Sequence, residues 1–293
     1  MRTLNLNVNP NISPEQDPYM VSSKSPTAVA INAAAKTGQW IKSRLGNIKE
    51  LDIKQSAQDL VTDVDKGAEL MIRKLILTHF PDHAFLGEEG VEAASTEPMD
   101  ALEDAEYLWI VDPVDGTTNF VQGFPYFCIS IALAHHGELI IGVIYDPMRD
   151  EMFVAEKGRG AYMHGTPTAV SSEDTLADSV IAIGFNPERD FALPLNLKGM
   201  QALAPRTRSL RAMGSAAMHL AYVAAGRLSG YYEVGLNSWD IAAGVLLIQE
   251  SGGKVTDTQG QAFHLGARHI VATNGHMHQE LIQVIEEAGA SGY

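Results

Sequence analysis

Acidic residues gather at four places in this chain, each at the edge of a regular element. Gly87-Glu88-Glu89-Gly90 follows the apolar stretch Ala84–Leu86, and Asp112-Pro113-Val114-Asp115-Gly116-Thr117-Thr118 follows Leu108-Trp109-Ile110-Val111. Asp63 and Asp65 flank Val64, and Asp240 follows Trp239. Taken singly, each acid reads as a turn or a helix cap, since Asp is a common N-cap and Asp-Pro and Asp-Gly are common turn pairs. As a set they read differently. Glu88 and Glu89 repel each other between two glycines. Asp112 and Asp115 crowd negative charge at the end of one apolar strand unless a cation neutralises it. Carboxylates without His or Cys suit Mg²⁺, Mn²⁺ or Ca²⁺ rather than zinc. Acids from separate strand ends fit two ions ~3.5–4 Å apart that clamp a phosphoryl group. Gly116-Thr117-Thr118 opens a turn whose free N–H groups could hold an anion. Together these features point to phosphate-ester hydrolysis. Cys128, the single cysteine, sits in the apolar run Phe127–Ala134 and reads as a buried core thiol.

The elements that must position these acids follow from periodicity and punctuation. A helix is expected from about Pro26 to Leu45, capped by Ser25 and stopped by Gly46. A second is expected from about Asp65 to His79, with Leu70, Leu75 and Leu77 among its apolar positions and Pro81 ending it. Short strands at Ala84–Leu86 and Tyr107–Val111 run into the acids. Residues 126–162 read as three antiparallel strands separated by the turns His135-His136-Gly137-Glu138 and Asp146–Asp150. Beyond them, helices are expected at Ala212–Ala225, Trp239–Gln249 and His276–Ala288, and strands at Ser179–Ile183, Leu228–Glu233, Lys254–Asp257 and Ile270–Thr273. Hairpins mixed with crossovers imply a layered α/β architecture. Residues 1–20, polar and rich in Asn and Pro, are expected to be a disordered tail before a folded region 21–293, with possible halves at 21–178 and 179–293.

Composition narrows the function. The 293 residues carry a formal net charge of −15. A nucleic-acid binder needs clustered Lys and Arg, so none is expected, nor docking on an anionic membrane. One cysteine excludes an internal disulfide framework. No apolar run approaches the ~18 residues of a membrane span, no secretory signal opens the chain, and the cytoplasm is the expected location.

The residues as a whole resemble the inositol monophosphatase family of Mg²⁺-dependent, lithium-sensitive phosphatases. The two signatures are Trp109–Phe120 (WIVDPVDGTTNF) and Trp239–Gly253 (WDIAAGVLLIQESGG); Lys54, Asp59–Thr62, Asp65, Gly87–Gly90 and Gly214–Ala217 match as well. The resemblance implies an alternating α-β-α-β-α sandwich, a homodimer and two or three Mg²⁺ ions. It implies Glu88, Asp112 and the Val114 carbonyl on a first metal, Asp112, Asp115 and Asp240 on a second, and a weaker third ion near Glu88, helped by Glu89 through water. It assigns Thr117 to positioning the attacking water, Asp65 to holding Thr117, and Glu88 to accepting the water's proton. Phosphate would rest on the N–H groups of Gly116 and Thr117, and the alcohol on Asp115, Ser215, the Ala216 backbone and Glu233, with Glu233 at the rim. Lys54 would orient the acids or lie at the surface. Arg211 would shape the loop before Ser215, contact a second subunit, or form a surface ion pair. The implied substrate is myo-inositol monophosphate; NADP(H), fructose 1,6-bisphosphate, histidinol phosphate and 3′-phosphoadenosine 5′-phosphate stay open, as does a role as a transcription or ribosome-assembly accessory protein. Residues 185–200 have no counterpart in the family pattern. The pair His276 and His278 reads as a solvated helix face, His135-His136 as an exposed hairpin turn, and Tyr231-Tyr232 as strand packing.

Overall fold

Small apolar runs that alternate sides put one strand residue on each face of a sheet, and this chain uses both faces of two sheets. The computed structural model describes residues 25–45, 51–53, 60–91, 105–185 and 191–292. The expected tail, the Gly46 stop and Lys54 lie outside them. Helix α1 (Pro26–Lys42) begins as expected, with the Ser25 hydroxyl accepting from the Ala28 N–H at 3.2 Å. After the short pair β1 (Leu51–Ile53) and β2 (Leu60–Thr62), α2 (Asp63–Leu77) starts two residues before Asp65. Its buried stripe is Val64, Ala68, Ile72 and Ile76, one turn apart. Leu70, expected among the apolar positions, is 68% exposed, and Leu75 and Leu77 are only partly buried.

Among the described residues the first sheet has seven strands in chain order: β3 (Ala84–Gly87), β4 (Tyr107–Asp115), β5 (Cys128–His135), β6 (Glu138–Asp146), β7 (Glu151–Glu156), β8 (Gly160–Met163) and β9 (Thr166–Pro167). Only β3 and β4 run parallel; the rest is a meander. Short helices α3 (Glu88–Val91) and α4 (Thr117–Val121) follow β3 and β4 directly. The second sheet has the order β11 (Ser209–Arg211), β10 (Val180–Ile183), β12 (Gly230–Val234), β14 (His269–Thr273) and β13 (Lys254–Thr256). Helices α5 (Ala192–Leu203), α6 (Ala216–Ala224), α7 (Ser238–Glu250) and α8 (His278–Glu287) complete the described elements.

Three apolar clusters stack these elements into five layers. Helices α1 and α2 pack Val29, Ala33, Ile72 and Ile76 on Trp109, Val111, Ile129 and Ile131 of the first sheet. The opposite face of that sheet, with Leu108, Ile110, Cys128 and Ala132, meets α6 and α7, which in turn touch Ala182, Tyr231 and Ala272 of the second sheet. The far face of the second sheet, with Ile181, Tyr232 and Val271, packs on α5 and α8. The result is the α-β-α-β-α alternation. The middle layer is thin because its residues are small: a Cβ on Gly142 of β6 would meet the Ala243 carbonyl of α7 at 2.6 Å.

Four local expectations are corrected. The strand read as Tyr107–Val111 continues to Asp115, through Asp-Pro and Asp-Gly pairs that look like turns. Helix α6 starts at Ala216 rather than Ala212, because Gly214 is left-handed (φ 78°) and Ser215 is extended and caps the helix by accepting from the Met218 N–H. The stretch 185–200, for which no element was expected, leads into a helix at Ala192–Leu203. His278 is buried at 1% exposure between the hydroxyls of Thr256 and Thr273, at 2.9 and 2.8 Å, and its neighbour His276 alone is exposed.

Candidate active site

The end of β4 carries the site. Asp112 pairs with Ser130 across the ladder and Asp115 with Cys128, so three steps on β4 oppose two on β5. This β-bulge changes which side the chain presents. Side chains alternate faces along a strand, so residues three apart would face opposite ways. The extra residue puts both Asp112 and Asp115 on the side of α6 and α7, while Val114 is buried with the α1–α2 layer.

The two aspartates are held differently. Asp112 accepts one backbone N–H, that of Val114, at 3.0 Å. Asp115 accepts from the Ser215 hydroxyl at 2.7 Å, the Ala217 N–H at 2.6 Å and the Ala216 N–H at 3.3 Å, with the Cys128 thiol at 3.9 Å. It therefore sits on the first turn of α6, where free N–H groups and the helix dipole favour an anion. Burial pushes Asp112 well above the usual carboxylate range, and the charges of Glu88, Asp115 and Asp240 push further. Burial also raises Asp115, but the α6 donors oppose it and hold it to about 6.

Asp240 is the third residue of α7, and its carboxylate accepts from the Asn237 N–H at 2.7 Å in a capping box. Both of its readings hold: it caps a helix, and that cap aims it at the cluster. Burial, then Asp115 and Glu88, raise it strongly. Glu88 opens α3 and is half-buried. Thr117 opens α4, and its hydroxyl lies 2.9 Å from Asp65 Oδ1 and 3.0 Å from the Val114 carbonyl. Asp65 is buried in the first turn of α2, whereas Asp63 is exposed and takes no part. Gly116, at φ 99°, makes the left-handed corner between β4 and α4, and a side chain there would crowd the carbonyls of Gly214 and Tyr126 at 3.1 Å.

Ser215, Ala216 and Glu233, expected to meet the alcohol, also hydrogen-bond within the protein. The polar atoms of the first two point to Asp115, as above. Glu233, expected at the rim, is buried at 6% exposure and accepts from the Tyr231 hydroxyl; Gly184 lies against its carboxylate, where no Cβ would fit. Burial raises Glu233 to about 8, against the Tyr231 bond and with a smaller push from Asp115. Tyr231 thus does more than strand packing. Arg211 donates within its own strand, to Ser209 Oγ at 2.6 Å and the Leu210 carbonyl at 2.9 Å.

Three participants were missed. Glu69 is buried one turn after Asp65 and accepts the Glu89 N–H at 2.7 Å, and its carboxylate fills the space left by Gly87. Its i, i+4 spacing from Asp65 was the available signal. Asn119, inside the quoted signature, donates to the Tyr126 and Met213 carbonyls, each at 2.7 Å, and so ties the α4 turn to the loop that holds Asp115. Cys128 is buried as expected, but against Asp115 rather than in purely apolar surroundings.

The donor set is all oxygen, and the charges acting most strongly on Asp112 after burial are all negative, which fits a hard divalent cation. Among the described residues no three of these acids have oxygens all within 4.8 Å of one another.

Residues 23–290 match the sequence model of the inositol monophosphatase family. The chain belongs to this family. It is 42% identical over 262 residues to inositol monophosphatase 2 of Solanum lycopersicum, covering 89% of this chain and 97% of that one. It is 39% identical to the Nus factor SuhB of Pasteurella multocida, covering 88% and 94%. The solved inositol monophosphatase of Anabaena superposes with a TM-score of 0.77 at 36% identity, covering 89% of this chain and 95% of that one. Family membership makes the chain a phosphatase of a metal-dependent family. No helix among the described residues is long and apolar enough to cross a membrane.

Proposed function

We propose that the chain hydrolyses a phosphate monoester, with myo-inositol monophosphate the leading substrate, using Mg²⁺ held by the β4 acids. The observation that carries this is the bulge that turns Asp112 and Asp115 to one side, beside Asp240 and Glu88, with Thr117 on Asp65 at 2.9 Å. Glu88, Asp112 and the Val114 carbonyl would hold one ion, and Asp112, Asp115 and Asp240 a second, with a third, weaker one near Glu88. Bound Mg²⁺ would supply an activated water and draw charge from the phosphoryl oxygens.

The chain's own groups do the rest. A hydroxyl has one hydrogen, so donation from Thr117 to Asp65 leaves its lone pairs to accept from a water and orient it. Glu88, half-buried at the start of α3, would take the proton that the water loses. The N–H groups of Gly116 and Thr117 open α4 and can receive phosphate oxygens. Ser215, the Ala216 backbone and Glu233 would meet the alcohol.

Phosphate release across a panel tests the reading: inositol monophosphates, NADP, fructose 1,6-bisphosphate, histidinol phosphate and 3′-phosphoadenosine 5′-phosphate, each with Mg²⁺. Fastest turnover of an inositol monophosphate, lost on chelation and inhibited by Li⁺, is the expected result. A clear preference for another ester would replace inositol as the substrate. Full activity after exhaustive chelation would remove metal hydrolysis altogether. A second reading, an accessory role in transcription, is favoured by the relatives that bear the name Nus factor SuhB. Its test is a pull-down with RNA polymerase beside the hydrolysis assay, and a copy that hydrolyses inositol phosphate without retaining polymerase sets it aside.

A further inference from the structure

Strand β4 has a second end. The acids occupy its end from Asp112 to Asp115, and Glu106 immediately precedes Tyr107 at the other; the six steps from Glu106 to Asp112 span ~20 Å. At that far end the donor atoms of Glu106, His135 and His136 all lie within 4.8 Å of one another, and among the described residues no other three His, Cys, Asp or Glu side chains converge so closely. We propose that Glu106, His135 and His136 form a metal site separate from the phosphatase acids, for a borderline transition-metal cation of the zinc class.

Ligand chemistry separates the two ends. Two imidazole nitrogens and one carboxylate suit Zn²⁺, or Cu²⁺, Ni²⁺ and Co²⁺, whereas oxygen alone suits Mg²⁺. Three protein ligands leave a fourth position for water, as in open zinc sites.

The backbone prearranges the three. The β5–β6 hairpin turns on His136 and Gly137, both left-handed at φ 47° and 76°. Gly and Asn are the usual residues in such a two-residue turn, so a histidine there costs conformational strain. The His136 N–H donates to the Glu106 carbonyl at 2.9 Å, which pins the tip of the hairpin beside Glu106. The His135 ring stacks on Tyr107 at 4.5 Å, Tyr107 stacks on His83 at 4.5 Å, and the His136 ring lies 4.4 Å from His135. His83 itself is committed, its Nδ1 accepting from the Trp109 indole at 3.1 Å, so it braces the stack and is not a ligand through that nitrogen. Glu138, the other acid at the tip, is taken by Lys157. His136 and Glu106 are exposed, which gives a hydrated ion a direct approach.

The test uses the full chain with saturating Mg²⁺, so that the phosphatase acids compete poorly for added metal. Zinc chloride is titrated by equilibrium dialysis, with thermal unfolding followed in parallel, and cobalt chloride provides a visible spectrum that reports imidazole ligation. Wild type should bind one Zn²⁺ per chain and gain thermal stability from it. His136→Asn suits the left-handed turn, so this variant keeps the fold. It should bind zinc at least tenfold more weakly, since loss of even an outer partner of a metal ligand costs ~10–100-fold. Glu106→Gln should do the same without touching the turn, and both variants should retain Mg²⁺-dependent phosphatase activity. Equal zinc stoichiometry and affinity in wild type and both variants would overturn the proposal. So would an absence of zinc binding by wild type in Mg²⁺, which would leave an exposed histidine pair and nothing more.

Discussion

Asp112 and Asp115 lie on either side of one bulge, face the same way and are both buried, yet the molecule treats them in opposite fashion. Asp115 is surrounded by donors from the loop and first turn at Ser215–Ala217, and is held to about 6. Asp112 has one backbone donor and three acidic neighbours, and rises well above the usual range. Asp115 is fixed by the protein in advance. Asp112 is left with its charge uncompensated, which is costly for folding but gives a divalent cation the most to gain. A site that must hold exchangeable ions in one geometry needs both kinds of ligand.

Four substitutions would break or sharpen this contrast. The largest effect is expected from Asp112→Asn. Turnover should be abolished, beyond the ~10–100-fold that loss of an outer partner costs. The same change should raise the melting temperature of the metal-free protein, because it removes repulsion. A variant with near-wild-type kcat/KM would show that Asp112 is not a ligand. Asp115→Asn should also lose activity, but with the opposite sign in stability. Its amide oxygen can keep the Ser215 and Ala217 bonds, which share one oxygen, but its NH₂ would then set a donor against the Ala216 N–H, at ~1–3 kcal/mol. Calorimetry of the two apo variants side by side reads the difference directly, and shifts of the same sign would dissolve the comparison.

Ser215→Ala is milder. Asp115 keeps its backbone donors and loses one hydroxyl, so stability should fall by ~0.5–1.5 kcal/mol while kcat drops more than substrate affinity. An effect confined to KM would return Ser215 to the substrate contact expected from the resemblance. The smallest effect is that of Glu233→Gln on the pH dependence of stability. The Glu233 pKa rises from 4.5 to about 8 on folding, so the folded state holds a proton that the unfolded state releases. Wild type should therefore lose stability as pH climbs from 4.5 to 8, and Glu233→Gln should flatten that part of the curve. An equal stability difference between wild type and variant in urea titrations at pH 5 and pH 8 would mean that Glu233 is charged in the fold. The variant also tests substrate: kcat/KM on inositol monophosphate should fall more than on β-glycerol phosphate.

The acids of the site were legible because their residue types are rare beside apolar strands, and the two signatures carried the ligand set. Less local information stayed hidden. Asp112–Asp115 reads as a turn because Asp-Pro and Asp-Gly are turn pairs in isolation, and only the neighbouring β5 ladder keeps the segment extended. Glu69 looks like any acid on a helix surface, and what buries it is the glycine-lined approach of Gly87. Leu70 misled in the other direction, since the stripe that docks on the sheet is Val64, Ala68, Ile72 and Ile76. His278 sits at a polar helix start, and the two threonine hydroxyls that receive it come from strands five and twenty-two residues away. The layer alternation came from the family resemblance, but which strand residues meet in the middle layer depends on side-by-side packing that no single segment encodes.

The bulge also makes the site a matter of parity. Two residues, Pro113 and Val114, separate the aspartates, where the partner strand spends one, Ile129. Deleting either would restore the regular pleat and leave the aspartates two positions apart, still on one side. Straightening the bulge with both residues kept would instead swing Asp115 through the strand to the other side, into the apolar layer that holds Trp109 and Phe127. Deleting both would bring the aspartates to adjacent positions, again on opposite sides. Insertions obey the same odd-and-even rule. The count here can change by one only if the bulge goes with it; a count and a pleat that disagree turn the active site inside out.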